Sequence, residues 1–285
     1  MIGAAIWTVR LALVATAMLL IAACGGTEEA SFPDDTFAVI ANADIGPGPA
    51  RVLVGIVQPD GTRLGSPDIG IELTAAPFDD VTATQTVTGT FNWIVEDVVG
   101  VYRAEFVFDR SGTWEIVVQP EAGEALDSAA VNVLDRTFSP NVGEPARMAP
   151  TPTLADHTLA ELTTDPAPDT RFYETSLEDA IASGKSTVLV FSTPAYCQTL
   201  ACGPMLEIVK EAADDYPDVN FIHVEVYTGL TEPDFQPDAA HLAPAAGPEF
   251  WYLITEPWVF VIDPSGTVTA RFEGVMASQE LRDAL

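Results

Sequence analysis

Two cysteines, Cys197 and Cys202, stand five positions apart in Phe191-Ser-Thr-Pro-Ala-Tyr-Cys197-Gln-Thr-Leu-Ala-Cys202-Gly203-Pro204. The run Thr187-Val-Leu-Val-Phe191 before them reads as a buried strand. Met205, Leu206, Ile208, Val209 and Ala212 after them are apolar at helical spacing. A thiol at such a junction faces the unpaired N–H groups and positive dipole end of the helix, and both favour thiolate, the reactive form. Five residues of regular helix turn through about 500°, so the two side chains would diverge by about 140°. A bridge therefore requires Cys197 in the loop and Cys202 in or just before the first turn. Two roles are open to this pair: a reactive disulfide, or a static staple of the kind common in exported proteins.

Those two cysteines need elements to hold them, and the later part of the chain supplies a pattern. Thr175-Ser-Leu-Glu178 is a capping signature before Leu177, Ala180 and Ile181, and Gly184 closes that helix. The strand Thr187–Phe191, the helix Pro204–Asp214 and the strand Val219–Val226 follow. Trp258–Ile262 and Thr267–Phe272 then pair around Asp263-Pro-Ser-Gly266, and Ala277–Leu285 closes the chain as a helix. With Tyr196-Cys197 and Cys202-Gly203-Pro204 at the turn, this order resembles the thioredoxin-like redoxin superfamily. The resemblance implies an α/β C-terminal domain, a central mixed sheet with flanking helices, in which Cys197 and Cys202 are catalytic. Tyr196, Gly203 and Pro204 would shape the active-site turn. Met205 stands where the family's second cysteine would, so either cysteine could attack. Val190 occupies the place of the family's buried acid.

The same resemblance implies a cis proline facing the cysteines, at Pro257 within Thr255-Glu256-Pro257-Trp258. Glu256, Pro257 and Trp258 would then face the substrate. A Glu256 charge beside the thiols would raise their pKa, against the helix dipole. The implied activity is thiol–disulfide exchange with exported protein thiols and disulfides and with a further redox partner, and no bound cofactor is needed. Thr193-Pro194-Ala-Tyr-Cys197 with Ala201-Cys202 also resembles the T-P-x-C-x4-C motif of Q-type peroxiredoxins, shifted by one residue. Those peroxidases need an arginine beside the thiolate, and Arg171, Arg271 and Arg282 are the arginines of this part of the chain. A third alternative is non-catalytic, an interaction protein or a copper chaperone holding the ion through Cys197, Cys202 and His241. His223 lies inside a strand and His157 in a linker, and a lone histidine is more often packed than ligating.

Residues 36–136 read as an all-β sandwich. Short β-rich runs recur at Phe37–Ile40, Arg51–Val57, Ile69–Leu73, Val101–Phe108, Thr113–Val118 and Ala129–Leu134, separated by turn signals. Tyr102, Ala104, Phe106 and Phe108 alternate with Arg103 and Glu105, the period of a half-buried strand. Gly100-Val-Tyr102 and Gly112-Thr-Trp114 resemble the strand pair of YtkA/FixH-like periplasmic sandwiches, some of which hold copper. From Gly25 to Arg147 there is no His, Met or Cys, so soft ligands are missing and a spacer or docking role follows. Residues 137–170 carry Pro140, Pro145, Pro150, Pro152, Pro166 and Pro168, a semi-stiff linker before the domain at 171–285.

The N-terminus sets the compartment. Arg10 precedes an apolar run from Leu11 to Ala23, too short for a comfortable span, and Leu20-Ile-Ala-Ala-Cys24 ends it. That pattern resembles a bacterial lipobox, which implies a signal peptide over 1–24, lipidation at Cys24, and a tether at 25–35. The chain would then sit outside the cytoplasm, anchored to the cell membrane through its lipid. The formal net charge is −30, and loss of Arg10 with the signal takes it from −30 to −31. Such a charge disfavours nucleic acid and polybasic membrane contacts. Intact-mass analysis of membrane-extracted protein should show acyl additions on Cys24; an unmodified chain released in soluble form contradicts the anchor.

Overall fold

The computed structural model describes residues 31–285, so the signal segment and Cys24 lie outside the described residues. Nine strands form the N-terminal half: β1 (Phe37–Ile40), β2 (Gly48–Val57), β3 (Arg63–Leu64), β4 (Ile71–Pro77), β5 (Gln85–Thr88), β6 (Thr90–Val95), β7 (Val99–Phe108), β8 (Gly112–Pro120) and β9 (Ala129–Val133). One sheet runs β1-β2-β7-β6 with β3 beside β2, and the other runs β5-β4-β8-β9, with every pairing antiparallel. Their inner faces share one core, in which Val52, Val54, Tyr102, Ala104, Phe106 and Phe108 meet Ile71, Leu73, Trp114, Ile116 and Val118. The alternation read in β7 is the physical cause, since successive side chains leave opposite faces of a strand. Tyr102 and Trp114 are buried with their polar ends satisfied. The Tyr102 hydroxyl donates to the Ile69 carbonyl at 3.0 Å and the Trp114 Nε1 to the Arg110 carbonyl at 3.3 Å. Strands β5 and β6 add to the expected set: β5, Gln85-Thr-Val-Thr88, is polar enough to read as a loop, whereas β6 is apolar at Phe91, Trp93, Ile94 and Val95.

The third sheet follows α1 (Leu159–Leu162) and α2 (Leu177–Ala182). Its strands are β10 (Thr187–Ser192), β11 (Asn220–Glu225), β12 (Trp258–Ile262) and β13 (Val268–Glu273), in the order β11-β10-β12-β13. Helix α3 (Cys202–Asp215) joins β10 to β11, and α4 (Ser278–Ala284) follows β13. The N-cap of α2 is Ser176, whose hydroxyl accepts from the Asp179 N–H at 3.1 Å, one residue beyond the cap read from the sequence.

This architecture corrects the expected class. The described chain is a β-rich fold of three sheets with four α-helices of 4, 6, 14 and 7 residues, not an α/β thioredoxin domain. Only β10 and β11 pair in parallel. An α/β sheet is covered on both faces by crossover helices. Here one face packs on α3 and α4 but also on Leu53, Ile94 and Val101 from the N-terminal half. The other packs on α2 and on irregular chain carrying Ala243, Ala245, Ala246 and Trp251. The apolar runs that suggested an α/β sheet are buried on both faces, and sheet and loop provide much of that burial.

The segment expected as a linker packs closely. Gly143 donates to the Val268 carbonyl and Val268 to the Glu144 carbonyl, at 2.8 and 2.9 Å, extending the edge of β13. Asp44, almost fully buried, binds the two halves. Its carboxylate accepts from the N–H of Phe138 and Ser139 at 2.7 and 3.0 Å and pairs with Arg271 at 2.8 Å. Glu280 makes a second tie, receiving Arg51 at 2.7 Å and Arg103 at 2.8 Å. Burial opposes its charge, but the two guanidinium groups hold it below the usual carboxylate range. Replacing Asp44 with Ala strands a buried arginine and two N–H groups. Urea unfolding of Asp44→Ala should show a loss of about 3–5 kcal/mol; a loss below about 1 kcal/mol would mean the halves do not depend on this pair.

Candidate functional site

Strand β10 is buried along its length, and the chain leaves it through Thr193 and Pro194 into an exposed loop. Cys197 lies in that loop, half-buried, and Cys202 is the first residue of α3, fully buried. Leu200, at φ 66°, turns the loop back through the left-handed region that non-glycine residues seldom use. The cysteines are joined as a disulfide, with Cα atoms 5.9 Å apart. The Cys202 N–H donates to Cys197 Sγ at 3.2 Å, and the Thr199 hydroxyl lies 3.3 Å from the same sulfur. Pro204, in the first turn of α3, removes an N–H that would have had no helical partner. A Cβ on Gly203 would meet open space, so this glycine is not required by packing.

The Glu256–Pro257 peptide is cis and stands beside the disulfide loop. The Thr199 hydroxyl donates to the Glu256 carbonyl at 3.5 Å, and the Pro257 carbonyl accepts from Gly274 at 2.8 Å. Glu256, Cys197 and Cys202 each place a potential ligand atom within 4.8 Å of the others. Glu256 Oε2 is buried and has no hydrogen-bond partner. Burial raises the pKa of this carboxyl, with Thr193 pulling the other way. The full negative charge expected beside the thiols is thus opposed by desolvation.

Other expected residues fall elsewhere. Trp258, expected to face a substrate, lies in the core. It is fully buried, stacks on Phe260 with centroids 5.2 Å apart, carries Arg271 over its ring at 4.8 Å, and donates to the Thr255 hydroxyl at 3.1 Å. Tyr196 is 37% exposed and rests its ring 5.1 Å from Phe235 of the long 227–250 segment. His241 is engaged by Asp238 at 3.0 Å and Glu232 at 3.8 Å, and Glu256 takes its expected place as third member around the sulfurs.

Behind the loop lies a buried polar network that the sequence reading did not assemble. His223 sits between the Tyr173 hydroxyl at 2.7 Å and the Ser192 hydroxyl at 2.9 Å. Burial pushes its pKa down to about 4, so it is neutral at physiological pH. Glu225, at the end of β11, accepts from the Thr164 hydroxyl at 2.6 Å and N–H at 3.1 Å. Burial pushes its pKa up to about 7 despite those bonds, and Glu256 adds to the rise. The visible signal was alternation: His223 and Glu225 interrupt an apolar strand two positions apart, on one face.

No family model matches the chain, and no curated protein matches it. Among solved structures, the sensor domain of the anti-sigma factor RsgI4 in Pseudobacteroides cellulosolvens aligns at 12% identity and TM-score 0.25, covering 35% of this chain and 95% of that one. A protein from Bacteroides vulgatus described as a glycoside hydrolase aligns at 13% identity and TM-score 0.24, covering 50% of this chain and 26% of that one. Likenesses this slight carry no functional argument. Among the described residues no helix is long and apolar enough to cross a membrane.

Glu225 gives the site a pH signature. The folded chain holds this proton up to about pH 7, whereas the unfolded chain loses it near pH 4.5. Its contribution to stability is therefore lost as pH rises through that window and is constant above it. A Glu225→Gln variant keeps an acceptor for Thr164 and has no charge to desolvate. Its stability relative to wild type should grow by up to about 3 kcal/mol from pH 4.5 to 7. Denaturation series at several pH values measure this, and a pH-independent difference contradicts the assigned burial of the charge.

Proposed function

We propose that this protein is an extracytoplasmic thiol–disulfide oxidoreductase, held to the membrane by a lipid on Cys24 and acting on protein disulfides. The observation that carries the reading is the placement of the Cys197–Cys202 disulfide. One sulfur is within reach of solvent, the other is buried at the start of a 14-residue helix, and a helix N–H points at the outer one. A static staple needs neither that donor nor a half-exposed sulfur. The local turn residues Tyr196, Gly203 and Pro204 point the same way through their resemblance to redoxin active sites.

Cys197 is the attacking residue in this reading. Once the pair is reduced, the Cys202 N–H, the Thr199 hydroxyl and the helix dipole all stabilise a Cys197 thiolate. That thiolate attacks one sulfur of a substrate disulfide, the substrate S–S bond breaks, and the departing sulfur takes up a proton. The mixed disulfide is then resolved by Cys202, which gives its proton to solvent or a nearby base, bonds to Cys197 Sγ and displaces the second substrate thiol. The substrate gains two electrons and two protons, and the Cys197–Cys202 bond is restored. An exported dithiol partner must reduce it again.

Insulin reduction driven by a dithiol tests the reading. Wild type should accelerate it, Cys197→Ser should abolish the acceleration, and Cys202→Ser should trap a mixed disulfide on Cys197. A wild type that leaves insulin untouched but consumes hydrogen peroxide favours the peroxidase alternative. One that does neither and holds a soft metal ion when reduced favours the metal-binding alternative.

A further inference from the structure

A cavity of about 420 Å³ lies between the N-terminal half and the third sheet. Leu53, Ile94 and Val101 wall it on one side and Val275 on the other, all buried and apolar. Gln198, Thr199 and Ala201 of the disulfide loop and Glu256 of the cis-proline segment also line it. Thr199 is also the residue whose hydroxyl lies 3.3 Å from Cys197 Sγ. The two residues that follow Cys197 in the chain, Gln198 and Thr199, are thus part of the cavity wall. Cavities of this size, apolar walls with a few polar groups at one end, and a position between two packed units are the marks of a binding site.

We propose that this cavity receives an apolar side chain of an extended polypeptide partner, from the residue next to the cysteine that Cys197 attacks. The inference rests on the proposed thiol–disulfide exchange and names its substrate class. The volume admits a large aromatic side chain, and Gln198 and Thr199 beside Cys197 line the cavity, so bound residue and reacting cysteine belong to neighbouring positions. Charge narrows the partner further. The chain carries a formal −30, and Glu256 and Glu273 both line the cavity. Burial keeps those two carboxyls above their usual pKa. An acidic residue beside the substrate cysteine meets two carboxyls against one guanidinium, Arg63, and must give up its water to the apolar wall, whereas a neutral apolar residue is accepted.

The test uses the reduced full-length protein and three peptide disulfides, identical except for Phe, Ser or Asp beside the cysteine. The Phe peptide should react with a kcat/KM about 10- to 100-fold above the Ser peptide, with the Asp peptide slowest. Ala41, exposed at the rim, is one more lining position. Ala41→Trp should reduce the Phe-to-Ser ratio to near one, and its thermal midpoint reports whether it has folded. The wild-type comparison stands without the variant. Equal rates for the three peptides overturn the cavity assignment and leave the exchange activity intact. Failure to react with any peptide or with glutathione disulfide overturns the exchange activity itself.

Discussion

The carboxylate of Glu273 takes donors from both halves of the chain. It accepts the N–H groups of Ala43 and Asp44, each at 2.9 Å, and the Thr255 hydroxyl at 2.6 Å. Burial raises its pKa, and those donors oppose the rise. Asp44 in turn pairs with Arg271, two positions before Glu273 on β13. Two buried carboxylates and one buried guanidinium thus lock the N-terminal sheets against the third. Apolar contact alone would let such faces slide. Directional bonds to buried charge fix their register, because any other alignment strands a desolvated group.

The disulfide site inherits its shape from that lock. Thr255 immediately precedes Glu256 and the cis Pro257, and it is held both by Glu273 and by the Trp258 indole. Glu256 then offers its carbonyl to Thr199 and its carboxyl to the space beside the sulfurs. The opposite wall is the start of α3, seated by Met205, Leu206 and Val209 in the core. The cysteines stand between a wall fixed by hydrogen bonds and one fixed by packing. Behind them, His223 and Glu225 form a polar interior that is uncharged at mildly acidic pH. In front, the half-exposed Cys197 meets solvent. Exchange chemistry asks for that asymmetry, with one sulfur that can be approached and one that is released only afterwards.

How far the sequence revealed this depends on the range of the interaction. The strand-to-helix junction at the cysteines was legible because it is local: an apolar run, a cysteine pair and a helical apolar stripe lie within 30 residues. Alternation in Tyr102–Phe108 gave β7 for the same reason. The α/β class was misjudged, since apolar runs buried on both faces look alike whether a helix or a sheet covers them. The ties that set the site were invisible. Asp44 and Arg271 are 227 positions apart, and Glu273 and Ala43 are 230 apart. Nothing in the local pattern of Asn42-Ala-Asp44 or Arg271-Phe-Glu273 says that these charges meet. The Pro-rich stretch misled for a related reason, because prolines report a stiff chain and not whether that chain lies on a surface. Trp258 read as a substrate wall because it follows Pro257, yet it opens a strand that is buried on both faces.

The reduction potential of the Cys197–Cys202 pair tests the central claim most directly. Thiol labelling of the intact protein across a graded redox buffer gives the value. A half-exposed sulfur and a helix-start donor to Cys197 both favour the dithiol form. The account predicts a potential less negative than about −300 mV, in the range where partners in an oxidising compartment can open and close the bond. A pair that stays oxidised in buffers well below about −300 mV would mark it as a structural staple and contradict the account.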